Sequence, residues 1–397
     1  MATEIAKIAQ LIHSSSALRN ALSMTRQRSL LLALRWLLLV LFLTLACSGG
    51  APAVPEAVSE EVKGRLGFDP ATVHPVHEGK VGEPGLPAGF TYTYVVNPRE
   101  YDDPDVIALD PSERYLYFVT HLQHPDGAAY RVDLSTGEVI QLTSELHRPG
   151  GIAYYEPGNV VLVAEEGTGV GPLERQLGFW RAVLPDVPDQ PTPPPLRAMG
   201  QYRGEGIDVV APDVIYLGED QPHGGRLYKY IVDSAPDLSK GTLYAFKEDQ
   251  GWIKTAYLEA PDTGKEGTNF FAGEGLRLGP DGNKLYFVLS AEAENRVVAI
   301  DLETAKVTNF VTVKNAKGWG RPDQLAFSPN GVLWVTGGGD VWAALPDGPD
   351  EDALSDGVYR FLTGLGTVQG MEFTKDGSTF YVAARGCLLY TSPSPRD

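Results

Sequence analysis

One short phrase, written six times, constrains this chain more than anything else in it. From Gly273 it reads GEGLRLGPDGNKLYFVL. A short run leaves an acidic Gly-Glu-Gly step, a Pro280-Asp281-Gly282-Asn283 turn reverses it, and an apolar, aromatic strand returns, which is a β-hairpin. The other copies begin at Pro104, Pro149, Gly204, Pro322 and Val368. Their second residues, Asp105, Gly150, Glu205, Glu274, Asp323 and Gln369, are spaced by 45, 55, 69, 49 and 46 positions. Hairpins recurring at roughly 40–50 residues, with only strands and turns between them, specify the blades of a β-propeller. A β-sandwich would need no such recurrence. The expected fold is all-β, a six-bladed β-propeller over residues 89–386.

Both ends of the chain read differently from the repeats. Met24-Thr-Arg-Gln-Arg28 is basic, residues 30–45 are apolar with Arg35 the one interruption, and Leu43-Thr-Leu-Ala-Cys47 ends the run. That is the layout of an export signal. It resembles a bacterial lipobox, which makes Cys47 the lipid-modified first residue and residues 1–23 an upstream extension. An ordinary secretory signal or an uncleaved anchor is the alternative. Residues 47–88, rich in Pro and Gly, are expected to be a polar tether, with the propeller held on the outer side of a bacterial membrane. At the other end, residues 387–397 (CLLYTSPSPRD) break the pattern and look like a translated sequencing adaptor, so the last blade is expected to be incomplete.

The formal net charge is −18, and residues 1–46 carry five Lys/Arg against one Glu, so the remainder is more acidic still. Such a surface argues against nucleic acid as a partner and favours a soluble monomer or cation binding. Between the hairpins, a strand from Phe90 is placed to pair with the last blade and close the ring. Blade two is expected to have outer strands at 179–184 and 196–202, parted by a proline-rich loop, and blade three carries an extra hairpin or lid.

In each hairpin the first strand begins where the second ends, and the innermost strands line the channel, so six starts ring one mouth. Asp105, Glu205, Glu274 and Asp323 sit at those starts, and the strand ends add Glu165-Glu166 and Glu219-Asp220. Carboxylates so crowded raise each other's pKa and call for a cation, and oxygen-only ligation favours Ca2+ or Mg2+. Two residues before the ring stand Arg148, Arg203 and Arg321, forks suited to phosphate or carboxylate. The bland reading is that these acids cap strand ends and pair with arginines to brace the blades. His121, His124, His147 and His223 fall on loops, with His121 and His124 read as solvated rim, and Trp319, Trp334 and Trp342 as blade packing.

YRGEG from Tyr202, VIYLGEDQPHGGRLYKY, KGTLYAFK, GTNFFAGEGL and RPDQLAFSPNGVLWV together resemble the PhoX-type alkaline phosphatases, propeller phosphomonoesterases that use calcium and iron. The resemblance covers about half of the chain beyond the signal. It implies metal ligation by Glu165, Glu205, Glu219, Glu274 and Asp323. Arg148 stands where that family commonly has an iron-serving cysteine, so calcium is expected rather than iron. The main expectation is therefore a metal-dependent phosphoester hydrolase acting on a small phosphorylated or acidic substrate, with Arg148, Arg203 and Arg321 on the phosphate. A gluconolactonase-like Ca2+ lactonase, with Gln324 beside Asp323, is one alternative, and a non-catalytic binding or scaffold propeller is the other.

Overall fold

Asp-led turns punctuate the chain as the repeats require. Asp110, Asp281 and Asp376 each accept a hydrogen bond from the backbone N–H two residues on, at 3.0, 3.0 and 2.9 Å. Around these turns the computed structural model forms six antiparallel sheets. It describes residues 58–73, 84–96, 100–101, 103–167, 178–222, 224–255, 267–291, 295–350 and 352–393. The export signal, Cys47 and His223 lie outside them. Among the described residues no helix is long and apolar enough to cross a membrane.

The sheets are the blades of a six-bladed β-propeller. Blade one is β2 (Pro104–Leu109), β3 (Tyr115–Thr120), β4 (Gly127–Asp133) and β5 (Val139–Leu146). Blade two is β6 (Pro149–Tyr155), β7 (Val160–Glu165) and β8 (Trp180–Val183). Blade three runs β9 (Gly204–Ala211), β10 (Val214–Glu219), β11 (Leu227–Val232), β12 (Gly241–Lys247) and β13 (Gly251–Lys254). Its fifth strand is the extra element expected there. Blade four holds β14 (Gly273–Leu278), β15 (Lys284–Leu289), β16 (Arg296–Asp301) and β17 (Val307–Thr312). Blade five holds β18 (Leu325–Phe327), β19 (Leu333–Gly337), β20 (Asp340–Ala344) and β21 (Val358–Leu362). Blade six joins β22 (Val368–Phe373), β23 (Phe380–Ala384) and β24 (Cys387–Pro393) to β1 (Phe90–Val96) from the start of the domain.

Three expectations are corrected. The last blade is not incomplete: β24 lies between β23 and β1, with Leu388 and Leu389 fully buried, so the edge left by β23 is paired. Residues 196–202 do not form a strand. Arg197–Met199 is a 3-10 turn, held to blade two by isolated bridges at Phe179–Gln201 and Arg181–Pro195, because the preceding prolines cannot donate ladder bonds. The tether is not bare over 58–73 and 84–88. Ser59 caps a short helix, α1 (Glu60–Leu66), and Leu66, Phe68 and Leu86 are buried against blade five.

The tryptophans pack blades, as expected. Trp334 lies 5.9 Å from Phe68, 4.7 Å from Phe361, 5.3 Å from Phe373 and 5.2 Å from Phe380 by ring centroids. One cluster thus ties the segment before β1 to blades five and six. Removing that indole is expected to cost about 3–5 kcal/mol in a urea titration of Trp334→Ala. Deleting residues 387–397 strips β1 and β23 of their shared neighbour and is expected to lower the melting temperature; an unchanged melt would mean that β24 does not close the ring.

Candidate metal centre at the channel mouth

One backbone contact recurs in all six blades and fixes which residues are equivalent. The N–H just past the second strand donates to the carbonyl two residues before the ring position. The pairs are His121 to Asp103 (3.0 Å), Glu166 to Arg148 (3.0 Å), Asp220 to Arg203 (2.9 Å), Ser290 to Ala272 (2.8 Å), Gly338 to Arg321 (3.4 Å) and Arg385 to Thr367 (3.0 Å). Four of these carbonyl residues are left-handed: Asp103, Arg148, Ala272 and Arg321 have φ of 50, 48, 48 and 49°. Non-glycine residues seldom adopt that conformation, and such strain gathers at functional sites. In blades one, two, four and six the register shifts across the ring position itself. A bulge re-aims its side chain, and here it stands at the entry of each inner strand.

Close approach of neighbouring inner strands then crowds the acids. A Cβ on Gly150 would collide with the Glu205 carboxylate, and one on Gly206 with the Glu274 carbonyl. Glu205, Glu274 and Asp323 end with a carboxylate oxygen from each within 4.8 Å of the other two. Asp105 is 1% exposed, and its Oδ1, like Asp323 Oδ1 and Gln369 Oε1, is buried without a hydrogen-bond partner. Burial foremost, then the neighbouring carboxylates, holds Asp105, Glu205, Glu274 and Asp323 well above the usual carboxylate range. Three carboxylates brought this close, with no hydrogen bond to any of their side chains among the described residues, are the donor set of a hard cation.

The other predicted residues divide sharply. Glu166 is a hub: it accepts from His121 Nε2 and Arg203 Nη2 and pairs with Arg148 Nη1 at 3.2 Å, while Arg203 also holds Asp220 at 2.8 Å. Burial works to raise the Glu166 carboxyl, but His121 and the two guanidiniums outweigh it and leave it below its ordinary value. Glu165 and Glu219 do not join the trio. Glu165 takes Arg181 Nε at 2.7 Å and the His147 N–H at 3.0 Å, and Glu219 takes the Arg226 N–H at 3.0 Å and the Tyr228 hydroxyl at 3.1 Å. Successive side chains of a strand point to opposite faces, so of each acidic pair one member faces the mouth and the other braces the blade. Burial pushes Glu219 up to about 7.

His121 is no solvated rim residue, since its Nδ1 also lies 3.8 Å from Asp105. Nothing in its local sequence marks it; its position one past a second strand, shared with Glu166 and Asp220, does. His124 stacks on His147 with centroids 4.4 Å apart. Arg321 is exposed on a cavity of about 790 Å3 that also meets Ser290, Asn295, Asp323, Gly338 and Thr367. A second acidic trio, Asp347, Asp350 and Asp352, lies on an outer loop and is largely exposed.

The class so defined is a six-bladed propeller with an acidic, cation-suited mouth. No protein-family model matches the sequence, and no curated protein matches it. Solved structures similar to it include a gluconolactonase of Xanthomonas campestris, 13% identical, with a TM-score of 0.47 over 81% of this chain and 94% of that one. A luciferin-regenerating enzyme is 14% identical, TM-score 0.48, over 77% and 95% of the two chains. The WD40 propeller of Doa1 is 10% identical, TM-score 0.45, over 76% and 97%.

A carboxyl whose folded pKa is raised holds more protons folded than unfolded, so its stabilisation is complete below the ordinary value and is lost as pH rises through the raised one. For Glu219 that window runs from 4.5 to about 7. In EDTA the melting temperature is expected to fall as pH rises through this window, and further as the raised acids of the mouth, Asp105, Glu205, Glu274 and Asp323, lose their protons; Ca2+ is expected to restore the share due to those four, as read by scanning calorimetry. A melt in EDTA that does not change with pH would contradict the crowding of uncompensated acids.

Proposed function

We propose that this chain is a divalent-cation-dependent hydrolase of small esters, and that a lactone is the substrate its mouth suits best. The observation that carries the reading is the Glu205–Glu274–Asp323 trio, whose Asp323 lines the cavity, with no hydrogen bond or ion pair to any of the three side chains among the described residues. These residues would hold Ca2+, which when bound polarises an ester carbonyl and lowers the pKa of water. Ser290, Asn295 and Thr367 offer hydroxyl and amide groups to orient a polyhydroxylated ring. Glu166, fixed by His121, Arg148 and Arg203, keeps a negative charge at the side of the mouth.

The lactone reading draws support from the arginines, because two of the three expected on a phosphate are tied to Glu166 and Asp220 instead. A phosphomonoester is the second reading, favoured by Arg321 on the cavity wall. Iron gains no support from this donor set, which is all oxygen. The export signal and Cys47 favour a lipid-anchored protein of the bacterial envelope, with the propeller outside the cytoplasm.

Hydrolysis of glucono-1,5-lactone and of p-nitrophenyl phosphate, each with Ca2+ and with EDTA, tests both readings. Turnover of the lactone is expected, dependent on Ca2+ and reduced at least about a hundredfold in Glu274→Gln. Turnover of the phosphate alone would select the second reading, and turnover of neither would leave a binding propeller.

A further inference from the structure

We infer that the other end of the central channel, away from the acidic mouth, is a second binding site, and that it takes a small organic cation, an ammonium group on an alkyl stem. The inference goes beyond the hydrolase reading and uses none of the residues at the mouth. A cavity of about 710 Å3 opens there among the hairpin turns of blades one, two, three and six, with Pro111, Pro157, Pro212 and Lys375 on its wall. Pockets of roughly 300–1,000 Å3 are the usual size for small ligands. Every residue within four positions in sequence of those that line it is described.

The charges of this lining do not balance. Asp110, Glu113, Glu156, Asp208 and Glu372 stand against two cations, Arg277 and Lys375. Most of them are engaged. Asp110 accepts the Ser112 and Tyr115 N–H groups at 3.0 and 2.7 Å, and Glu113 accepts the N–H of Lys375. The Lys375 ammonium donates to the Pro111 carbonyl at 2.6 Å. Arg277 donates through Nη2 to Glu372 at 3.1 Å and through Nη1 to the Ile207 and Leu276 carbonyls at 2.8 and 3.1 Å. Two acids are left over. Asp208 takes the Leu278 N–H on Oδ2 at 2.6 Å, while its Oδ1 receives no hydrogen bond, and Glu156 no ion pair, among the described residues. Burial raises the Asp208 carboxyl above its ordinary value although Arg277 is near, so that guanidinium alone does not offset the cost of a charge there. Leu109, Tyr154, Val209 and Phe373 add apolar wall beside these acids. An anion would meet a lining that is negative already. Among the described residues these acids form no close trio like that of the mouth, which disfavours a bare metal ion. An alkylammonium fits both features, its stem on the apolar wall and its charge on Asp208 and Glu156.

The test is isothermal titration of the Ca2+-loaded full chain with cadaverine, an alkyl diamine, and with pentanediol, its neutral counterpart; Ca2+ keeps the diamine from the acids of the mouth. Wild type is expected to bind cadaverine at least about tenfold tighter than pentanediol. Asp208→Asn, whose amide oxygen can still accept the Leu278 N–H, is expected to lose at least about tenfold for cadaverine and little for the diol. Glu156→Gln, on the exposed rim, is expected to lose about threefold for cadaverine. No cadaverine binding by wild type, full cadaverine affinity in Asp208→Asn, or equal losses for the two ligands overturns the inference. Should Asp208→Asn melt below wild type, Glu156→Gln decides, and unchanged cadaverine affinity there overturns it.

Discussion

A propeller stands or falls on the closure of its ring, and here that closure is the pairing of β1 with β24 from Phe90–Pro393 to Val96–Leu388. Each blade buries both faces against its neighbours, so an open ring would leave two apolar faces and a strand edge in water. The same joint anchors more than itself. Phe68 and Leu86, upstream of β1, pack with Trp334 and Phe361 of blade five, and Gly85 exchanges backbone hydrogen bonds with Thr363 at 2.9 and 3.0 Å. The segment before the first strand thus acts as an outer strap across the last two blades.

Closure also determines the chemistry. Once six inner strands are forced around one axis, their entry residues face one another whether or not their charges agree. Far along the channel the conflict is settled by a counter-charge: Arg277 reaches Glu372 at 3.1 Å and the Ile207 carbonyl at 2.8 Å, and Asp208 accepts the Leu278 N–H at 2.6 Å. At the mouth it is settled on one side only, where Glu166 and Asp220 meet Arg148 and Arg203. Among the described residues Glu205, Glu274 and Asp323 receive no guanidinium, and burial of unpaired carboxylates is costly. That asymmetry, more than the number of acids, is what marks a site for a cation.

Much of this was legible as text. The six hairpins, the ring position in each and the strand that closes the circle all follow from recurrence, because a blade is a local unit with its own turns. The ring of acids was legible too, since antiparallel pairing brings strand starts and ends to one end. Partnership was not. Glu165 and Glu166 are neighbours in sequence, yet one meets Arg181, sixteen residues on, and the other meets His121 and Arg203 from adjacent blades. Of the two outer strands expected in blade two, 179–184 forms as β8, whereas 196–202 proved to be a turn with two bridges.

By itself, then, the sequence determined a six-bladed ring, the mouth at which its acids gather, and the hard, oxygen-only character of the ligands offered there. Those properties depend on local turns, on alternation and on residue type. Only the tertiary structure decided which acids are paired and which have no partner among the described residues, that β24 completes the last blade, and that a cavity opens beside Asp323 between residues of blades four to six. Each of these turns on contacts between residues far apart in the chain, set by register shifts and by how closely glycines let neighbouring strands approach.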